Sequence, residues 1–345
     1  MEFGFYTFGD LAGSPSDKIS FRNATNQRFK TLIDEIIFAD ELGMDVFGLG
    51  EHHRADYVIS NPVTVLAAAS VLTKKIKLST AVTVLSSDDP VRIYQQFATL
   101  DQISNGRAEM MVGRGSFIES FPLFGYDLND YDELFEEKLE LLIKLNKQEE
   151  GSWRGRFRSP LRSMNIFPKS FQEEIPLWIA AGGTPASAIR AGKLKLPLAL
   201  AIIGGSPSQF KPFTDLYKKT LSEKGVQKNE IQLSVNTHVY VAENSQKAAD
   251  EYFPSYAQVM STIGKERGWS PLTREQFEYS RSEKGSLMVG SPQQVIDKIL
   301  YEYELFGHTR FLAQMSMGNL THAHLHKSME LFATKVVPAV KKMIG

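Results

Sequence analysis

The sequence predicts an α/β fold, a single closed (β/α)8 TIM barrel, on three observations. Strand-like and helix-like stretches alternate from end to end of the 345 residues. The strand-like ones number eight, the count at which a parallel sheet closes on itself. The chain, 42% hydrophobic, can bury one large core without splitting into separate domains. An open doubly wound sheet would alternate as well, but the count favours closure.

Each element has its own warrant. Glu2 to Phe8 is aromatic and extended in character, and a polar loop containing Gly, Pro and Ser is expected as far as about Asn26. Phe29, Leu32, Ile33, Ile36, Ile37 and Asp40 then recur at steps of three and four, forming a helix face that Gly43 closes. Asp45 to Gly50 is a short strand and Pro62 to Thr73 an Ala-rich helix. Ile76 to Leu85 is a β-branched run of the buried parallel kind. Ser87-Asp88-Asp89-Pro90 places N-cap residues before a first-turn proline and opens a helix to about Ile103. Ala108 to Val112 is the fourth strand. Tyr131 to Gln148 is a long amphipathic helix with Leu134, Phe135, Leu139, Leu142 and Ile143 inward.

Residues 149–172 break the rhythm and read as an insertion after the fourth helix. Strands resume at Leu177 to Ala180, Leu198 to Ile203, Ser234 to Val241 and Thr309 to Gln314. Helices follow near Pro185 to Lys193, Ser208 to Lys224, Pro292 to Phe306 and His322 to Met343. A second insertion, residues 243–290, follows the seventh strand and carries Tyr252, Phe253, Tyr256, Trp269 and Phe277. It is read as a lid, with packing or a subunit contact as the alternatives. The whole chain, 1–345, is expected to form one domain.

Composition removes several classes. With 39 basic against 40 acidic residues, no electrostatic footprint for nucleic acid or an anionic membrane surface is present. The absence of cysteine excludes disulfides, thiolate metal sites and cysteine nucleophiles. Neither a signal-peptide pattern nor an apolar run of bilayer length occurs, so a soluble cytoplasmic protein is expected. No dinucleotide-binding glycine pattern, P-loop or nucleophile elbow is found.

Barrel chemistry sits where the strands end, and three such ends are unusual. The second strand, FGLGEHH, runs into Glu51, His52 and His53. An imidazole there can act as acid, base or hydrogen-bond donor, or merely cap the strand. After the fourth strand, Gly113-Arg114-Gly115-Ser116 sets a guanidinium between glycines, which suits a phosphate; a pairing with an acid of a neighbouring strand is the alternative. After the fifth strand, Gly182-Gly183-Thr184-Pro185 presents small residues, a hydroxyl and a helix start, as a phosphate cradle requires and as an ordinary tight turn also provides. His322 and His326 share a helical face, but no further ligand is evident at metal-site spacing. They read as a solvated first turn, and no metal is expected.

The run from Asp45 to Gly125, with GEHH, NPV, STAVTVLSSDDPVR, FATLDQISNGRAE and GRGSF, resembles the luciferase-like flavin monooxygenase family. The similarity continues through IPLWIAAGGTP, LPLALAIIGG, VGSPQQVIDKI and FGHTRFL. The resemblance implies FMN held at the C-terminal mouth of the barrel, used in its reduced form with molecular oxygen to oxidise a small organic molecule. It implies His52 as the catalytic histidine and Glu51 as its acidic neighbour near the flavin. Arg114 is implied as the phosphate arginine, with Ser116, Gly182, Gly183 and Thr184 completing the cofactor site. Ala81 and Val82 match a pair joined by a cis peptide against the flavin. A separate flavin reductase and a homodimer are further implications. Gly182 and Gly183 replace an acid and a serine of the bacterial luciferases, and Gly113 replaces their reactive cysteine, which argues against light emission. A deazaflavin-dependent hydride-transfer enzyme and a non-catalytic flavin-binding protein are the alternative readings.

Overall fold

The computed structural model describes residues 1–11, 18–115, 117–147 and 151–345. Eight parallel strands close on themselves: β1 Glu2–Thr7, β2 Val46–Leu49, β3 Lys77–Thr80, β4 Ala108–Gly113, β5 Leu177–Ala181, β6 Leu198–Ile202, β7 Leu233–Val241 and β8 Arg310–Gln314. Every neighbour in that order pairs in parallel, and β8 returns to β1 with Glu2 opposite Arg310 and Tyr6 opposite Gln314. The predicted barrel is therefore the observed one. Helices α1 Lys18–Glu41, α2 Pro62–Ser70, α3 Pro90–Ser104, α4 Tyr131–Asn146, α5 Pro185–Leu194, α6 Lys211–Glu223, α7 Pro292–Phe306 and α8 His322–Leu331 surround it.

Alternation along each strand divides the core in two. Outward residues such as Phe3, Phe47, Leu78, Met110 and Ile179 pack on the helices, while Tyr6, Val46, Ala81, Met111, Trp178, Ala199 and Leu312 fill the barrel interior. At the closed end Arg310, 2% exposed, pairs with Glu109 and Glu2 and lies 4.2 Å above the Trp178 ring. That ion pair is multiply hydrogen-bonded, which a buried charge requires.

Several boundaries differ from the sequence reading. Helix α1 begins at Lys18, not after Asn26, because Phe21 and Ala24 extend its contact with the core through otherwise polar residues. Its buried face centres on Leu32, Ile36 and Ala39, with Phe29, Ile33 and Ile37 at the margin. The third strand is shorter than its apolar run: it stops at Thr80, and Thr83–Val84 then pairs with the end of β4. A short helix, Ser120–Phe124, lies between β4 and α4. The first insertion carries an antiparallel hairpin, Gly151–Trp153 with Leu161–Met164. The last helix is interrupted by a π turn, Phe332–Val336, just before Pro338, which has no N–H to continue the regular ladder.

The second insertion consists of helices Ser245–Glu266 and Arg274–Ser280 and a strand, Met288–Gly290, added beside β7. Tyr252, Tyr256 and Phe277 are buried with Tyr240, Leu287 and Val289 in a small core of their own. Most of its aromatic content is therefore packing; Trp269 is exposed.

Candidate active site at the barrel mouth

The residues singled out in FGLGEHH separate by direction. Glu51 is buried, its Oε1 accepts from His53 Nε2 at 2.8 Å, and its Oε2 accepts the Val84 N–H at 3.0 Å. Both Glu51 and His53 line a cavity of about 400 Å³ with Thr83, Ser87, Asp88 and Tyr126. His52 instead lies among aromatic rings: Phe8 and Tyr57 at 4.6 Å and Phe117 at 5.0 Å between centroids. Its Nε2 is closed off without a hydrogen-bond partner among the described residues. Burial, with the nearby Arg54 guanidinium adding to it, lowers the His52 pKa to about 4, so the ring is neutral at pH 7. Gly50 permits this crowding, since a Cβ there would lie 2.2 Å from Phe8 Cδ1.

The Ala81–Val82 peptide is cis, in the conformation that the resemblance implies, and it sits in the break between β3 and Thr83. Val82 links the two sides of the mouth. Its carbonyl accepts the Glu51 N–H at 3.1 Å, and its methyls pack where a Cβ on Gly113 would come within 3.0 Å. Glycine at 113 thus sets the approach of β4, which delivers Arg114.

Arg114 and Thr184 are brought together. The Arg114 guanidinium donates to the Thr184 and Ser187 hydroxyls, both at 3.5 Å, and the two hydroxyls are 2.8 Å apart. Arg114 also pairs with the exposed Asp132 and lies 5.2 Å over the Tyr131 ring. The alternative to phosphate was an acid on a neighbouring strand; the acid that pairs with Arg114, Asp132, stands instead in the first turn of α4. Thr184 precedes α5, which starts at Pro185; the Ser187 and Ala188 N–H groups donate to the Thr184 carbonyl at 3.1 and 3.4 Å, so what the helix start sets beside the guanidinium is the positive end of its dipole. Gly182 leaves open space there, and Gly183 has φ +99°. Ser116 lies outside the described residues.

Ser187, Asp132 and Arg54 escaped the sequence reading. The first was legible as a hydroxyl one helical turn beyond Thr184. Arg54 donates to Asp56, to Glu119 at 2.7 Å and to Glu266 at 2.6 Å, tying the segment after β2 to the segment after β4 and to the end of the insertion helix. It also lies 4.7 Å over Phe117, the ring that covers His52. The His322 and His326 rings are 3.9 Å apart, and His326 stacks on Phe38 at 4.4 Å, so this face packs as well as being wetted. Among the described residues no group of three or more possible ligands gathers for a metal.

Comparison with known proteins bears on family and fold. Residues 1–310 match the model of the family described as luciferase-like monooxygenase. The chain belongs to that family. It is therefore an enzyme, an oxidoreductase of the luciferase-like type. Among curated relatives, the alkanal monooxygenase alpha chain of the Kryptophanaron alfredi symbiont is 26% identical over 88% of this chain and 90% of its own. The luciferase-like barrel recurs in solved structures. Monooxygenase RslO1 from Streptomyces bottropensis superposes with a TM-score of 0.85 at 24% identity, covering 98% of this chain and 99% of that one. The oxygenating constituent of 3,6-diketocamphane monooxygenase from Pseudomonas putida, solved with FMN, gives 0.77 at 19%, with 99% of both chains covered. The coenzyme F420 dependent tetrahydromethanopterin reductase of Methanopyrus kandleri gives 0.73 at 20%, covering 98% and 99%.

Proposed function

We propose that this protein is a flavin-dependent monooxygenase that takes reduced FMN and O2 and oxidises a small organic substrate at the barrel mouth. The observation that carries the proposal is the convergence of Arg114 with the Thr184 and Ser187 hydroxyls at the start of α5. A guanidinium fork and two hydroxyls at the start of a helix are a donor set for a terminal phosphate, and Gly182 leaves room for it. FMN, when bound, supplies the oxidative chemistry.

The chain's own residues have separate tasks. Arg114, Thr184 and Gly183 hold the phosphate end, with Ser116 assigned to the same loop by resemblance. Ala81 and Val82 form the surface against which the ring system rests, and Glu51 fixes that surface through the Val84 N–H. His52, neutral at pH 7, acts as a base or a hydrogen-bond donor toward substrate. Phe117, Arg54 and the end of the insertion helix keep water from that ring. We propose further that the chain acts as one domain and a homodimer in the cytoplasm, supplied by a separate flavin reductase. Among the described residues no helix is long and apolar enough to cross a membrane.

A second reading is favoured by the same cradle, which would accept the phosphate of a deazaflavin equally well, and the barrel is shared with an F420-dependent reductase. Calorimetric titration of the purified chain with FMN, oxidised and reduced, and with coenzyme F420 separates the two. Saturable FMN binding that Arg114→Ala abolishes supports the first; preference for F420 selects the second; uptake of neither rejects both.

A further inference from the structure

Beside the proposed cofactor side, the mouth has a second wall to which nothing above assigns a role. Tyr6, Gln314 and His238 stand side by side on β1, β8 and β7: Tyr6 is opposite Gln314, and Gln314 is opposite His238. Neighbouring strands are about 4.8 Å apart, so one small molecule can touch all three. All point inward by parity. Tyr6 belongs to the interior cluster; Leu312, two before Gln314, does too; and Asn236, two before His238, reaches Met111 Sδ at 3.9 Å.

These polar ends differ from their neighbours along the strands. Gln314 is 2% and His238 8% exposed, yet among the described residues Gln314 Oε1 and His238 Nδ1 have no hydrogen-bond partner. Other polar groups on the same strands are provided for: Thr237 donates to the Ile202 carbonyl at 2.7 Å and Arg310 pairs with Glu109 and Glu2; just beyond β8, Ser316 donates to Asp10 at 3.1 Å. An unmade hydrogen bond in a buried site costs about 1–3 kcal/mol, so a pair of them on adjacent strands calls for a reason. Rings flank the row: Phe8 edge-on to Tyr6 at 5.8 Å and Tyr256 edge-on to His238 at 5.7 Å.

We infer that this row is the substrate-recognition wall, and that it selects an uncharged, flat molecule bearing a hydroxyl or carbonyl group. The flanking rings suit an apolar ring body, and the phenol, amide and imidazole can donate to and accept from one polar substituent. Charge is disfavoured. The charged groups on and just beyond these strands are already committed, Arg310 to its two glutamates and Asp10 to Ser316 and the Gly318 N–H, so an ion here would be desolvated without a counter-charge. This inference rests on the mouth being the site of oxidation, and it deepens that reading by naming a substrate class.

Equilibrium dialysis of the full chain with FMN present tests it, using 2-naphthol, 2-naphthoate and 2-methylnaphthalene as probes. The neutral hydroxyl compound is expected to bind about tenfold more tightly than either of the others. Gln314→Leu and His238→Phe are each expected to reduce that preference about fivefold while leaving 2-methylnaphthalene unchanged. Equal binding of the three probes by the unmutated chain overturns the inference, whether or not the variants fold. So does an unaltered preference in both folded variants, which would leave a row that holds water only. FMN titration run alongside keeps the two readings apart. FMN uptake without naphthol preference overturns this row alone, whereas naphthol preference without FMN uptake supports the row and rejects the cofactor.

Discussion

The two sides of the mouth solve opposite problems. On the β4–β5 side, the polar groups are partly exposed and already paired: Arg114 with Asp132, Thr184 with Ser187. Around His52 and along the Tyr6–Gln314–His238 row, they are enclosed by aromatic rings, and several nitrogen and oxygen atoms have no partner. The difference shows how one barrel can offer both strong and selective binding. On the proposed reading, a half-buried guanidinium with adjustable partners would grip an anion that brings its own charge. A covered neutral row discriminates by the cost of leaving a group unpaired.

The sharpest way to break the comparison is at Arg114. Arg114→Ala is expected to weaken FMN binding by about 10- to 100-fold, the worth of charge-assisted hydrogen bonds, and Arg114→Lys to recover only part of it because the fork is lost. Isothermal titration would read both. Undiminished affinity in Arg114→Ala would move the phosphate elsewhere.

Acid should distinguish the covered side next. His52 and His238 are both depressed to about 4 by burial, against an ordinary value of about 6.5. The folded state therefore binds fewer protons than the unfolded one between those values. Stability is fully present above about pH 6.5 and falls as pH drops through 4, by an amount on the order of a few kcal/mol for the pair. Urea unfolding at pH 7, 5.5 and 4.5 measures it. A His52→Gln, His238→Gln double variant should flatten this part of the profile, and an unchanged acid slope in that variant would contradict the assignment.

Smaller effects refine the picture. Arg54→Gln removes a positive neighbour of His52, so the imidazole pKa should rise, by up to about one unit, as followed by NMR titration of the ring protons. No change would mean that burial alone sets the value. Smallest is Asp132→Asn. The pair is solvent-exposed and of modest worth, so freeing Arg114 should tighten FMN binding by about two- to fivefold. Weaker binding would make Asp132 a positioning partner and not a competitor.

Much of the fold was legible because it depends on local periodicity and on residues adjacent in the chain. The eight strands, the Asp89 cap with Pro90 behind it and the inward face of Leu134, Phe135, Leu139 and Leu142 all follow from spacing. The start of α1 was misplaced because a polar run with few apolar anchors carries little periodic signal, and the third strand looked continuous because β-branched residues fill both it and its broken end. Within the site, Arg114 and Thr184 stood out through their neighbours. Ser187 and Asp132 did not, since each matters only through a side chain 73 and 18 positions away.

The sequence by itself determined that this chain alternates strand and helix eight times, that chemistry-bearing residues stand at the strand ends, and that a guanidinium and a threonine lie at neighbouring ends. Only the tertiary structure decided that His52 turns into an aromatic enclosure while Glu51 and His53 pair elsewhere, and that Tyr6, Gln314 and His238 form one row. The physical reason is the range of the interactions. Propensity and pattern are set by residues a few positions apart, whereas direction, burial and hydrogen-bond satisfaction depend on strand register and barrel closure, which join residues hundreds of positions apart.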